Sequence, residues 1–196
     1  MSVSENTKSL TKEVKKVKKA PRFFIAGLIC LIVLTFWVSV TQAANPATIN
    51  VTVTIQNLSV SATGPIAFGT VTAGSATVNS TASTVTNDGN VTETYSLNLT
   101  NPGGWTAVQA APAAEQYCLS AMFNTTGPAS ASFTYANHAL STTSTACSAT
   151  KFAGDQTGLS VPATQTRSLW FKFEAPSSTT VPTQQTIVVT ITAAAG

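Results

Sequence analysis

His138 is the single histidine of this 196-residue chain, whereas acid–base or nucleophilic chemistry needs partnered titratable groups within hydrogen-bond reach of one another. It stands in Asn137-His138-Ala139 within a loop-like stretch and reads as a solvated loop residue. Asp155, in Ala153-Gly154-Asp155-Gln156-Thr157-Gly158, offers an oxygen of the kind Ca²⁺ takes. One carboxylate falls short of the roughly six to eight oxygens that ion needs, so a surface turn is the better reading. The chain has no Gly-x-Ser-x-Gly, no His-Glu-x-x-His and no Gly-rich phosphate loop, which removes the anchors of hydrolase and nucleotide chemistry. A protein without catalytic residues, cofactor or metal is expected. Cysteine chemistry remains. Cys30 lies in an apolar leader, which leaves Cys118 and Cys147 as an even pair without a companion histidine cluster. Such a pair in an exported chain predicts a disulfide.

The elements that would carry these residues begin with a leader. Lys8, Lys12, Lys15, Lys16, Lys18, Lys19 and Arg22 face only Glu5 and Glu13, and the apolar run Phe23 to Val40 follows, ending in Thr41-Gln42-Ala43-Ala44. Basic, apolar and small-residue regions in that order predict an N-terminal export helix over 1–43, cleaved after Ala43. The apolar run is also long enough to span a bilayer, so a membrane anchor with its basic end in the cytoplasm is the competing reading. From Ala44 onward Lys151, Arg167 and Lys172 stand against Asp88, Glu93, Glu115, Asp155 and Glu174. That balance excludes nucleic acid as a partner, because phosphate neutralisation needs clustered Lys and Arg. Membrane contact is then expected only through the leader during export.

Residues 44–196 show alternation by two and no helical periodicity. Val51, Val53 and Ile55 alternate with Asn50, Thr52 and Thr54; Tyr95, Leu97 and Leu99, Leu169, Phe171 and Phe173, and Ile187, Val189 and Ile191 repeat the pattern. Further strands are expected at Ile66 to Val71, Thr77 to Val85, Tyr117 to Phe123 and Ser132 to Tyr135. Ala107 to Ala114 and Ala136 to Ala149 read as loops, the second stapled by the disulfide. Turn chemistry separates the runs, and Asp88-Gly89 gives the best hairpin signal because a type I′ turn needs positive φ at both central residues. The expectation is one all-β domain over 44–196, an immunoglobulin-like or jelly-roll-like β-sandwich of about seven to nine strands with one disulfide.

Ile66-Ala67-Phe68-Gly69-Thr70-Val71-Thr72-Ala73-Gly74-Ser75, followed by Thr86-Asn87-Asp88-Gly89-Asn90, resembles the opening of Hydin-type immunoglobulin-like domains, relatives of the major sperm protein fold. The resemblance covers Gly64 to Trp105. It implies that Phe68 anchors a first strand, that Gly74 makes a turn and that the Asn-Gly hairpin joins the next two strands. It says almost nothing about activity.

Surface type carries the functional expectation. The domain is rich in Thr, Ser, Ala and Asn and poor in charge, which suits a cell-surface fibre, pilus-like or coat subunit, outside the cell, that oligomerises or polymerises with itself through β-strand contacts. The segment Asn45 to Gln56, with Asn50, Val51, Val53 and Ile55 at its centre, reads either as the first strand of its own sandwich or as a strand donated to a neighbour. Trp170, opposite Leu169, Phe171 and Phe173 by parity, is expected to be a covered surface contact. Sequons occur at Asn50, Asn57, Asn79, Asn90, Asn98 and Asn124, which makes these residues candidate glycan acceptors. The alternative is a secreted adhesive or carbohydrate-binding module, with Trp105, Trp170, Tyr95, Tyr117 and Tyr135 as its platform.

Overall fold

The computed structural model describes residues 48–196. The leader, its cleavage site, Cys30 and residues 45–47 lie outside the described residues. A first unit ends at Thr52, and of it residues 48–52 are described, outside any helix or strand; the second unit is Val53–Gly196.

The second unit is all-β apart from a 3₁₀ turn at Ser130–Ser132 and the single helical turn α1 (Tyr135–His138). Its strands are β1 (Val60–Ala62), β2 (Ala76–Val78), β3 (Ser83–Asn87), β4 (Glu93–Thr100), β5 (Thr106–Ala107), β6 (Gln116–Phe123), β7 (Thr145–Ala146), β8 (Thr166–Glu174) and β9 (Val188–Ala195). One sheet has the order β1-β3-β8-β6-β5 with β2 also on β8, and the other has the order β7-β4-β9. Every pairing is antiparallel except β5 with β6. The two-residue period decides which side chains go inside: Tyr95, Leu97 and Leu99 of β4 meet Tyr117, Leu119, Phe123, Leu169 and Phe171 of the other sheet in one core. Tyr95 and Phe123 pack with ring centroids 6.2 Å apart. Gly74, at φ +73°, sits third in a turn closed by the Ser75 N–H donating to Thr72 O at 3.0 Å, the place where a type II turn requires positive φ.

Several expectations are corrected. Cys118 and Cys147 are free thiols. Cys118 pairs with Glu174 in the β6–β8 ladder, on the parity of Ser120 and Met122, whereas Leu119, Ala121 and Phe123 take the core face. Cys147 belongs to the core between the sheets. The two thiols therefore lie on opposite faces of the larger sheet and cannot bond. Asp88-Gly89 makes no hairpin, because β3 and β4 belong to different sheets and the chain crosses between them there. Gly89 is not among the described glycines with positive φ, Gly69 and Gly74. Its lack of a side chain matters for space instead, since a Cβ would collide with the Glu93 carboxylate and the Asn57 carbonyl.

Ile66 to Val71 is not a strand; Ile66, Phe68 and Val71 pack against the core from irregular chain, with Phe68 at 5.6 Å from Phe173 between ring centroids. Thr77 to Val85 is two strands on one edge of β8. At the break, Asn79 donates its own N–H to Phe171 O at 3.1 Å and accepts the Phe171 N–H on Oδ1 at 2.7 Å, so a side chain stands in for the missing rung. Ser132 to Tyr135 runs into helical turns rather than a strand. With Phe133 and His138 this stretch covers the outer face of β6, which explains why β6 is buried on both faces.

Candidate functional site

Residues 48–56 form no helix, turn or paired strand. Ile49, Val51, Val53 and Ile55 are 85%, 85%, 83% and 78% exposed. Single exposed apolar residues are ordinary, whereas four that alternate by two in sequence would share one face of an extended strand. The chain is then held just downstream. Asn90 donates from Nδ2 to Ile55 O and accepts the Asn57 N–H on Oδ1, both at 2.8 Å. The Asp88 N–H donates to Ser59 O at 2.7 Å, and Ser59 N–H donates to Glu93 Oε1 at 2.7 Å. Glu93 is fully buried, and its Oε2 has no hydrogen-bond partner.

A second feature lies at the edge of the smaller sheet. The N–H groups of Glu93, Tyr95 and Leu99 donate to Val161, Gly158 and Ser141 at 2.9, 2.8 and 2.9 Å, on the side of β4 away from β9. By antiparallel alternation the bonds to β9 therefore run through Thr94, Ser96, Asn98 and Thr100, opposite Ala194, Thr192, Thr190 and Val188. Val189, Ile191 and Ala193 turn their N–H and C=O groups outward, where no described residue bonds them. Their side chains point inward and are only partly buried. They border a cleft of about 980 Å³, whose lining includes Ile66, Phe68, Phe173, Ile187, Val189 and Ile191.

His138, Cys118, Cys147, Asp155 and the aromatic residues singled out in the sequence occupy the following places. His138 is buried at 5% exposure, not solvated: Nδ1 accepts the Thr134 N–H at 2.9 Å, so Nε2 carries the proton and donates to Ala153 O at 3.2 Å. Burial holds its pKa below the ordinary imidazole value. Burial also pushes the Cys118 thiol up to about 11 and the Cys147 thiol up to about 12, so neither is a thiolate at neutral pH. Asp155 accepts the Thr125 N–H at 2.6 Å in a surface turn. Among the described residues no three His, Cys, Asp or Glu side chains group as metal ligands, and no helix is long and apolar enough to cross a membrane.

Trp170 is half-buried; its Nε1–H donates to Asn124 O at 2.8 Å. Its cover is thus supplied by the chain's own loop after β6, where Gly127 lies against the ring. Tyr95 and Tyr117 are fully buried, and Trp105 stacks on Phe173 at 6.0 Å, so the five aromatic residues do not assemble into a platform. Among the sequons, Asn79 is 5% exposed with both amide atoms bonded, which removes it as a glycan acceptor. Asn90 and Asn124 use their amide nitrogens on Ile55 O and Thr126 O, Asn98 is half-buried, and Asn50 and Asn57 are exposed.

Sequence reasoning missed the open edge of β9, because strand order is a long-range property. It also missed Glu93, although an acid on the parity of Tyr95, Leu97 and Leu99 was a legible signal. Comparison with protein-family models, curated proteins and solved structures finds no match.

Proposed function

We propose that this chain is an exported, non-enzymatic structural subunit that polymerises with copies of itself at or outside the cell surface through β-strand contacts. The observation that carries this reading is the alternation of Ile49, Val51, Val53 and Ile55, which lie outside the described strands and are at least 78% exposed. A strand with one apolar face gains most by joining a sheet, where main-chain hydrogen bonds and alternate side chains are satisfied together. A charge-poor surface and titratable groups committed to structure support a role in assembly rather than in chemistry. The chain changes sheet between β3 and β4, β4 and β5, β6 and β7, β7 and β8, and β8 and β9. We read that as an immunoglobulin-like sandwich, in which Phe68 and Asp88-Gly89 do not take the places that the resemblance to Hydin-type domains implies. A carbohydrate-binding module draws no support from the scattered aromatic residues.

The test is sedimentation velocity and negative-stain microscopy of full-length protein recovered from outside expressing cells. Ordered fibres or high-mass species that shorten on dilution are expected. A monodisperse monomer at high concentration contradicts the reading.

A further inference from the structure

We infer that the acceptor for Ile49–Ile55 is the open edge of β9 in a second copy of the chain, with the apolar side chains entering the cleft between the sheets. This rests on the assembly reading above and specifies its contact.

Three observations meet at that edge. Val189, Ile191 and Ala193 present outward N–H and C=O groups with no backbone partner among the described residues, and their side chains only partly fill the space below. Natural sheets blunt exposed edges with charge, proline or bulges. β9 is Val-Val-Thr-Ile-Thr-Ala-Ala-Ala and carries none of these. The proposed occupant matches in length: Ile49 to Ile55 extends about 20 Å and β9 about 23 Å at roughly 3.3 Å per residue. It matches in pattern as well, because an added strand here must place alternate side chains in an apolar cleft that Phe68, Phe173 and Ile187 help to line, while Asn50, Thr52 and Thr54 face water. Neither strand carries a charge, so nothing opposes their approach and nothing in the cleft selects a charged peptide.

The occupant comes from another copy because Val53 and Ile55 of the single chain remain 83% and 78% exposed, with the chain beyond them tied to Asn90. Their own cleft is not their seat.

The experiment uses the full chain carrying Val53→Cys together with Val189→Cys, Ile191→Cys or Ala193→Cys in three separate variants, oxidised under native conditions. Covalent ladders on a non-reducing gel are expected for at least one pair, whereas each single substitution stops at a dimer. A cross-linked monomer of altered mobility in place of a ladder assigns the strand to its own chain and overturns the inference. Sedimenting assemblies with no ladder from any pair also overturn it, while leaving assembly through another surface standing. Absence of assembly in the unsubstituted chain removes both. A peptide of residues 48–56 gives a second readout that needs no cysteine variant: it is expected to shorten the assemblies in a concentration-dependent way. The same peptide with Asn at positions 51, 53 and 55 is expected to be inert, and equal effects of the two peptides contradict the pairing.

Discussion

Replacing Val53 and Ile55 together by alanine separates an assembly strand from a folding strand. Both side chains are mostly in water in the single chain, at 83% and 78% exposure, so their truncation is expected to change monomer stability by less than about 0.5 kcal/mol. Seated in a cleft they are dry. The double change removes about five carbons, and at roughly 0.8 kcal/mol per buried CH₂ this is about 4 kcal/mol of contact. At about 1.4 kcal/mol per decade, the dissociation constant between copies should rise on the order of a thousandfold. Thr52→Ala with Thr54→Ala, on the opposite face of the same segment, should shift it by less than about tenfold. A sedimentation-velocity dilution series measures the dissociation constant, and urea unfolding of the dissociated protein measures stability. Two results refute the reasoning: assembly unchanged in the Val53/Ile55 variant, or a monomer destabilised by several kcal/mol, which would mean the segment packs in its own fold.

Other perturbations probe the scaffold. Gly89→Ala drives a Cβ into the Glu93 carboxylate and the Asn57 carbonyl; a loss of about 1–3 kcal/mol in urea unfolding is expected, and a neutral result would mean the crossover relaxes freely. Native protein should react slowly with a thiol reagent, and protein unfolded without reductant should release Cys118 and Cys147 as free thiols; a mass two hydrogens lower would restore the disulfide. His138 has a folded pKa below its unfolded value because of burial, so the unfolded chain takes up the proton first. Stability is complete above about pH 6.5 and falls as pH drops from there toward the folded pKa. Thermal unfolding between pH 7.5 and 5 should show that slope in the parent and a flatter one in His138→Gln.

The strands that were legible in the sequence are those whose own side chains enforce the period: β4 through Tyr95, Leu97 and Leu99, and β8 through Leu169, Phe171 and Phe173. Alternation reports burial on one face, and local chemistry sets it. What local chemistry does not set was misread. Asp88-Gly89 has hairpin composition, yet Glu93 pairs with Val161 and not with β3, because β4 enters the other sheet. The paired cysteines looked like a bridge until their parity placed one on each side of a sheet. Ser132 to Tyr135 reads as a strand by composition, but it caps the outer face of β6 from helical turns, a role set by what β6 leaves uncovered. For the assembly segment, Val51, Val53 and Ile55 were visible as an amphipathic strand, whereas the matching edge and cleft appear only once β9 is placed beside β4 alone.

Amide hydrogen exchange along β9, read in dissociated and assembled protein, tests strand addition most directly. Thr190 and Thr192 bond to β4 and should be protected in both states. Val189, Ile191 and Ala193 face outward and should exchange rapidly when dissociated and become protected on assembly. Assembled protein in which those three amides still exchange as fast as in the dissociated state would contradict pairing at this edge.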